Sequence, residues 1–406
     1  GNTLKELGRP EDAEISYGKA ITLKPDYAEA YNNLGNTLKE LGRPEDAVAS
    51  YRKAITLKPD YTEAHNNLGI LFKNLNEYKN AIICFKEVIR IKPNSADSYH
   101  KLGEVFRDSH DYKKSINYFE KALTLKPTLL QARYDLGYAF YLLGKYKKCA
   151  SQFKLINFKK SKSYLLSCLY IIDDRANFIE QLDKCIEQNM IDSLIGSLSL
   201  RSEIKYGISR PNIFCKKPLD YILTTDLSEK YDFDNIFVKP VKNILDDNKI
   251  KKRPQSLLTN GIQTTGNLFL RKNDHLKKIE DIIHLEIKKY QAHFEESKEG
   301  IIKHWPKDYF IFGWIISMKN GSKIKPHIHS NGWLSGSIYI NVPQKLKDNS
   351  GNLVVCIDDK ENDNNNERNP KKIINVTTGS LCLFPASLHH YTIPFKADED
   401  RIVLAF

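Results

Sequence analysis

At 406 residues, with 41% hydrophobic and 11% aromatic content, the chain is too long for one ordinary core and too apolar to be disordered, so two or three domains are expected. The formal net charge of +12 comes mainly from lysine spread along the whole sequence. Only short clusters such as KIKKR at 249–253 break that even spread, so nothing indicates a nucleic-acid partner, which would call for a basic stripe interleaved with aromatics.

Alignment of the chain on itself at a period of 34 organises its first part. Proline recurs at 25, 59, 93 and 127, and glycine at 35, 69, 103 and 137. Tyr17, Tyr51, Phe85 and Phe119 form one column; Ala20, Ala54 and Ala122 form another, with Val88 in the third copy. The stretch NNLGNTLKELGRPEDAVASYRKAITLKPDY at 32–61 has close echoes on both sides. This pattern resembles the tetratricopeptide repeat (TPR). Each unit carries two helical apolar stripes, small residues where helices cross, and Pro where the second helix must stop. Stacked units share a continuous core, so an all-α solenoid is expected over 1–156. Gly1-Asn2 aligns with Gly35-Asn36, so the first repeat is truncated and a longer array is expected. The concave face is expected to receive a protein or peptide or to serve self-association, with Asn32, Asn33, Asn66, Asn67 and Lys39 as candidate contacts.

Residues 157–206 keep helical spacing without the repeat signature and read as a helical cap or linker. From RPNIFCKKPLDYI at 210–222 the composition turns to extended segments with Pro, Asp and Asn breakers, and a second domain is expected over 207–406. A helix is expected at about 274–296, with Asp274 as N-cap and Leu276, Ile279, Ile283, Ile287 and Tyr290 as its apolar stripe. Beyond it, YFIFGWIISM, SGSIYINVP, GNLVVCI, KIINVTTGSLCLFP, HHYTIPF and RIVLAF read as short strands of a jelly roll, and the Asn-rich tract at 358–370 as a loop.

The stretch KIKPHIHSNGWLSGSIYI at 323–340 sets His327 and His329 two apart. On a strand such residues face one way, roughly 7 Å apart, and converge on one cation. FPASLHHYTIPF offers a third imidazole from His389 or His390, of which only one can face the pair. Imidazole suits Fe(II), Zn(II), Ni(II) and Cu(II).

From about 255 to 406 the sequence resembles the 2-oxoglutarate/Fe(II) oxygenase superfamily, in a prolyl-hydroxylase-like branch. The resemblance rests on GIQTTGNLF, WPKDYFIFGWIISMKNG, PHIHSNGWLSGSIYINVP, GSLCLFPASLHHYTIPF and DRIVLAF. It implies a double-stranded β-helix (jelly-roll) fold, Fe(II) as cofactor and 2-oxoglutarate and dioxygen as co-substrates. His327 matches the first metal ligand and His390 the distal one. His329 stands where Asp or Glu is usual, as a ligand or beside the metal. Arg401 matches the residue that binds the co-substrate's distal carboxylate, and Thr392, facing as His390 does, adds a hydroxyl. Gln263 is a candidate on the substrate side; Trp314, Trp333, Tyr339 and Tyr309 read as core or pocket wall.

The expected activity is that of a dioxygenase acting as a hydroxylase, its repeats recruiting a protein. The alternatives are a TPR scaffold with a degenerate oxygenase domain, or a three-histidine zinc enzyme. Seven scattered cysteines without a CxxC pair, no membrane-length apolar run and no signal-peptide core fit a soluble, cytoplasmic protein.

Overall fold

The computed structural model describes residues 1–271, 273–344, 349–359 and 369–406. It divides into two compact units, residues 1–173 and 174–406. The Asn-rich tract lies, over 360–368, outside the described residues.

The first unit is a TPR solenoid. Helix pairs follow one another at the sequence period: α1 (Asn2–Glu6) and α2 (Pro10–Leu23), α3 (Ala28–Glu40) and α4 (Pro44–Leu57), α5 (Thr62–Asn74) and α6 (Tyr78–Ile91), α7 (Ala96–Asp108) and α8 (Tyr112–Leu125), α9 (Leu130–Leu142) and α10 (Tyr146–Phe153). A further helix, α11 (Lys159–Ile171), closes the unit. Each repeat buries the same lock: the glycine of a leading helix lies against the aromatic of the following one, Gly35 on Tyr51, Gly69 on Phe85, Gly103 on Phe119 and Gly137 on Phe153. A Cβ at Gly103 would stand 2.5 Å from the Phe119 ring, so any larger residue in this column must displace the aromatic. Tyr51, Phe85 and Phe119 are each fully buried.

The second unit opens with α12 (Arg175–Glu187) and α13 (Ser193–Tyr206), so the stretch read as a cap contributes helices to both units. It continues through β1 (Leu223–Asp226), α14 (Lys239–Asp246), β2 (Lys252–Arg253), β3 (Leu258–Thr264), α15 (Asp274–His293) and α16 (Gly300–Lys303). Then come β4 (Trp314–Ile324), β5 (Leu334–Asn341), β6 (Leu353–Cys356), β7 (Lys371–Ile374), β8 (Ser380–Pro385), β9 (His389–Thr392) and β10 (Arg401–Ala405). They build two antiparallel sheets, ordered β1-β8-β5-β10-β4-β3-β2 and β7-β6-β9.

Period-two alternation decides which side chains meet. Ile338, Ile340, Leu381, Leu383, Ile402 and Leu404 pack outward against α14 and α15. Their neighbours Tyr339, Cys382, Phe384 and Val403 pack inward with Leu353 and Val355 of the smaller sheet. The space between the sheets is therefore the inner core. The stripe of α15 is as expected, with Leu276, Ile279, Ile283, Ile287 and Tyr290 buried. Its N-cap is Asn273 rather than Asp274, because the Asn273 side chain accepts the Leu276 N–H and leaves Asp274 as the first helical residue.

Candidate metal centre

Strand β9 delivers the distal histidine. Its register opposite β6 sets His390 beside Val355 and Thr392 beside Leu353, so both face the inner core, while His389 faces away beside Cys356. His389 instead holds its Nδ1 3.1 Å from the Ile357 carbonyl. Of the two consecutive histidines, His390 is the one brought to the cluster.

His327 and His329 do not lie on a continuous strand, as their spacing had suggested. β4 ends at Ile324, and the chain is extended again only at His327, in an isolated antiparallel bridge to His390. There the His327 N–H donates to the His390 carbonyl at 3.2 Å and the His390 N–H to that of His327 at 2.9 Å. Pro326, which has no N–H to give a ladder, separates the two segments. His329 follows at the start of a turn closed by Gly332 N–H to the His329 carbonyl, 2.8 Å. That turn is pinned by Ser193 Oγ donating to the Gly332 carbonyl at 2.8 Å and by Trp333 Nε1 donating to the Ile301 carbonyl at 2.8 Å.

One ligand atom from each of His327, His329 and His390 lies within 4.8 Å of the others. The ring centroids are 4.2 Å apart for His327 and His390, 4.8 Å for His329 and His390, and 5.3 Å for His327 and His329. No carboxylate joins the cluster among the described residues. Trp314 stands edge-on to His329 at 5.4 Å and Phe384 to His390 at 5.0 Å. Burial dominates the electrostatics. It holds His329 down to about 3, the neighbouring His327 adding to the effect, and keeps His390 well below the ordinary imidazole value; His327 is also lowered. The three rings are thus neutral at neutral pH, the form that coordinates a metal.

Three buried polar atoms on this side lack a hydrogen-bond partner among the described residues: His390 Nδ1, Arg401 Nε and Gln263 Oε1. Gln263 pairs with Ile316 across β3 and β4 and so shares the face of Ile316 and Met318. Arg401 is 1% exposed. Its Nη2 donates to the Gly351 carbonyl at 3.0 Å, its Nη1 lies 3.4 Å from Met318 Sδ, and its guanidinium lies over the Tyr339 ring at 4.9 Å. These neighbours are neutral, and burial lowers the Arg401 pKa. A guanidinium taken from water without a counter-charge is costly, and an anionic ligand offsets that cost.

Sequence reasoning named His327, His329, His390, Thr392 and Arg401 but passed over Ser335, whose Oγ lies 3.0 Å from His329 Nδ1. Its signal was the alternation of SGSIYI, which turns Ser335, Ser337 and Tyr339 to one face.

In the first unit, Asn32 is fully buried; its Nδ2 donates to Glu63 Oε1 at 3.1 Å and its Oδ1 accepts from Asn67 at 3.0 Å. Asn33 donates to Asn2 at 3.3 Å, Asn66 Oδ1 is buried without a hydrogen-bond partner among the described residues, and Lys39 is exposed. A second group, His100, Glu104 and Asp135, also has ligand atoms within 4.8 Å of one another. There Lys73 pairs with Glu104 at 3.1 Å, and Arg107 and His100 both pair with Asp135. Lys73 and Arg107 already neutralise the acids, so the group links repeats.

Comparison with known proteins agrees with both halves. Residues 313–406 match the family described as "Putative 2OG-Fe(II) oxygenase". Residues 1–42 and 35–76 match the TPR repeat, and 74–155 match "Anaphase-promoting complex, cyclosome, subunit 3". No curated protein matches the chain. Similar solved structures include MamA from Desulfovibrio magneticus RS-1, 24% identical over 38% of this chain and 86% of that one, TM-score 0.36. YrrB, titled "a TPR protein with an unusual peptide-binding site", is 24% identical over 42% and 91%, TM-score 0.37. Pseudomonas aeruginosa pilF is 19% identical over 52% and 90%, TM-score 0.40. The chain joins TPR repeats to an oxygenase-family domain.

Proposed function

We propose that this protein is an Fe(II)- and 2-oxoglutarate-dependent dioxygenase, a hydroxylase, whose repeat unit receives a protein substrate or partner on its concave face. The observation that carries the reading is the presence, in one unit, of three convergent neutral imidazoles, with His390 on the inner face of the smaller sheet, and of a buried guanidinium on the inner face of the larger sheet that has no carboxylate partner among the described residues. His327, His329 and His390 would hold the metal, and the unpartnered His390 Nδ1 fits a site that expects a cation. Bound there, Fe(II) supplies the oxidation by dioxygen that couples decarboxylation of 2-oxoglutarate to hydroxylation of a C–H bond.

The chain's own residues do the rest. Arg401 meets the distal carboxylate of the keto acid, its planar fork suiting bidentate capture and its unpartnered Nε adding a donor. Tyr339 supports the guanidinium from its ring face, and Thr392 brings a hydroxyl to the face that carries His390. Phe384, Val403 and Trp314 keep water from the inner space and strengthen every polar contact there. The seven cysteines are free and buried, which fits a reducing, cytoplasmic setting; no helix among the described residues is long and apolar enough to cross a membrane.

The all-imidazole donor set favours one other reading, a zinc hydroxide centre. Anaerobic loading with Fe(II), followed by a succinate-release assay in air, separates the two. Iron-dependent succinate that disappears in His390→Ala supports the dioxygenase. Zinc retained through purification with no affinity for 2-oxoglutarate supports the hydrolytic centre, and tight iron and 2-oxoglutarate binding without succinate leaves a scaffold.

A further inference from the structure

A neutral imidazole carries one N–H and offers a metal only its other nitrogen, so the partner of each ring decides which nitrogen points at the site. For His327 the partner is the Lys325 carbonyl, 2.9 Å from Nδ1. A carbonyl can only accept, so Nδ1 holds the proton and Nε2 is bare. For His329 the partner is Ser335 Oγ at 3.0 Å, and a hydroxyl can accept or donate. The two cases differ in consequence. If the hydroxyl donates, His329 carries its proton on Nε2 and is shut out of the metal.

We propose that His329 Nδ1–H donates to Ser335 Oγ, making Ser335 the positioning residue that presents His329 Nε2 as a ligand. The inference rests on the three-histidine metal centre of the proposed function and assigns the group that completes it. Ser335 is 1% exposed on β5, and its partner across the ladder is Phe384 of β8. That single cross-strand pair supports two of the three rings: Ser335 holds His329 by hydrogen bond, and Phe384 packs on His390. On its other sides the His329 ring meets Trp314 at 73° and His390 at 83°. Two edge contacts and one hydrogen bond leave the ring one orientation. With no carboxylate in the cluster to anchor the third position, the hydroxyl takes over the orienting task.

The test uses the full chain, stripped of metal and titrated anaerobically with Co(II), whose visible absorption reports ligand number. Ser335→Ala is expected to weaken Co(II) binding by about 10- to 100-fold and to change the absorption bands. Ser335→Thr, which keeps the hydroxyl, is expected to restore both, and Ser335→Ala is expected to add nothing in a His329→Ala background. Ring-nitrogen NMR of the ¹⁵N-labelled wild type gives an independent reading, with the His329 proton on Nδ1. A Ser335→Ala protein with wild-type affinity and spectrum, or a His329 proton found on Nε2, overturns the proposal. Wild type that binds no Co(II) overturns both this proposal and the metal centre. Wild type that binds Co(II) tightly but releases no succinate with iron sinks the dioxygenase alone, and the same titrations still decide the role of Ser335.

Discussion

The two units of this chain spend their buried positions differently. In the repeats, the main packing positions have copies 34 residues away: Gly35, Gly69, Gly103 and Gly137 all meet an aromatic ring in the same way. In the second unit the decisive groups, the histidine cluster with its buried His390 and the buried Arg401, occur once and are polar. Repetition makes stability additive and local, so damage to one repeat is confined to it and its neighbours. Single-copy polar groups cost stability and are explained by ligands.

The comparison can be broken most decisively at His390. His390→Ala is expected to abolish iron binding and succinate release while leaving the thermal unfolding of the repeats unchanged, as calorimetry would show; retention of iron would refute the assignment. Arg401→Met should separate function from stability. It is expected to raise the KM for 2-oxoglutarate about 10- to 100-fold, the loss of charged hydrogen bonds worth about 1.5–3 kcal/mol. The same change is expected to raise the melting temperature of the ligand-free protein, because an uncompensated buried charge is removed. A raised KM accompanied by a lowered melting temperature would mean that Arg401 is structural. In the repeats, Gly103→Ala drives a methyl into Phe119 and is expected to cost about 1–3 kcal/mol of stability in denaturant titration, with Co(II) affinity unaltered. The smallest effect is expected at Asn273→Ala, about 1 kcal/mol, from the lost cap of α15.

Legibility followed the same division. The repeats were readable because a fixed period fixes helix length, crossing residues and register together, and the glycine–aromatic lock lay in plain columns. The strands SIYI, SLCLF and RIVLA were readable as strands; which of their alternate residues face the smaller sheet came from the structure. That only one of His389 and His390 could face the pair was readable because consecutive strand residues face opposite ways. The choice of His390 came from the family resemblance, and the register opposite β6 is what turns it inward. The path of His327 and His329 was not readable as drawn. Pro326 interrupts the ladder, and the pairing that returns His327 to the sheet is a partner 63 residues away, His390, which local spacing cannot reveal. Ser335 was missed for a related reason: its role comes from a turn that folds His329 back over β5. The cap of α15 shifted by one residue because Asn and Asp are equally good caps, and only the bond from Leu276 tells them apart.

The bridge between His327 and His390 has a corollary for metal exchange. Two of the rings proposed to bind the cation hang from backbone that is stitched directly together by a reciprocal pair of amide bonds, independent of any ion. Their spacing is thus set before loading, as by a gauge block, and swapping one divalent ion for another demands little rearrangement of the chain. In deuterated buffer the amides of both residues should stay protected even after treatment with chelator.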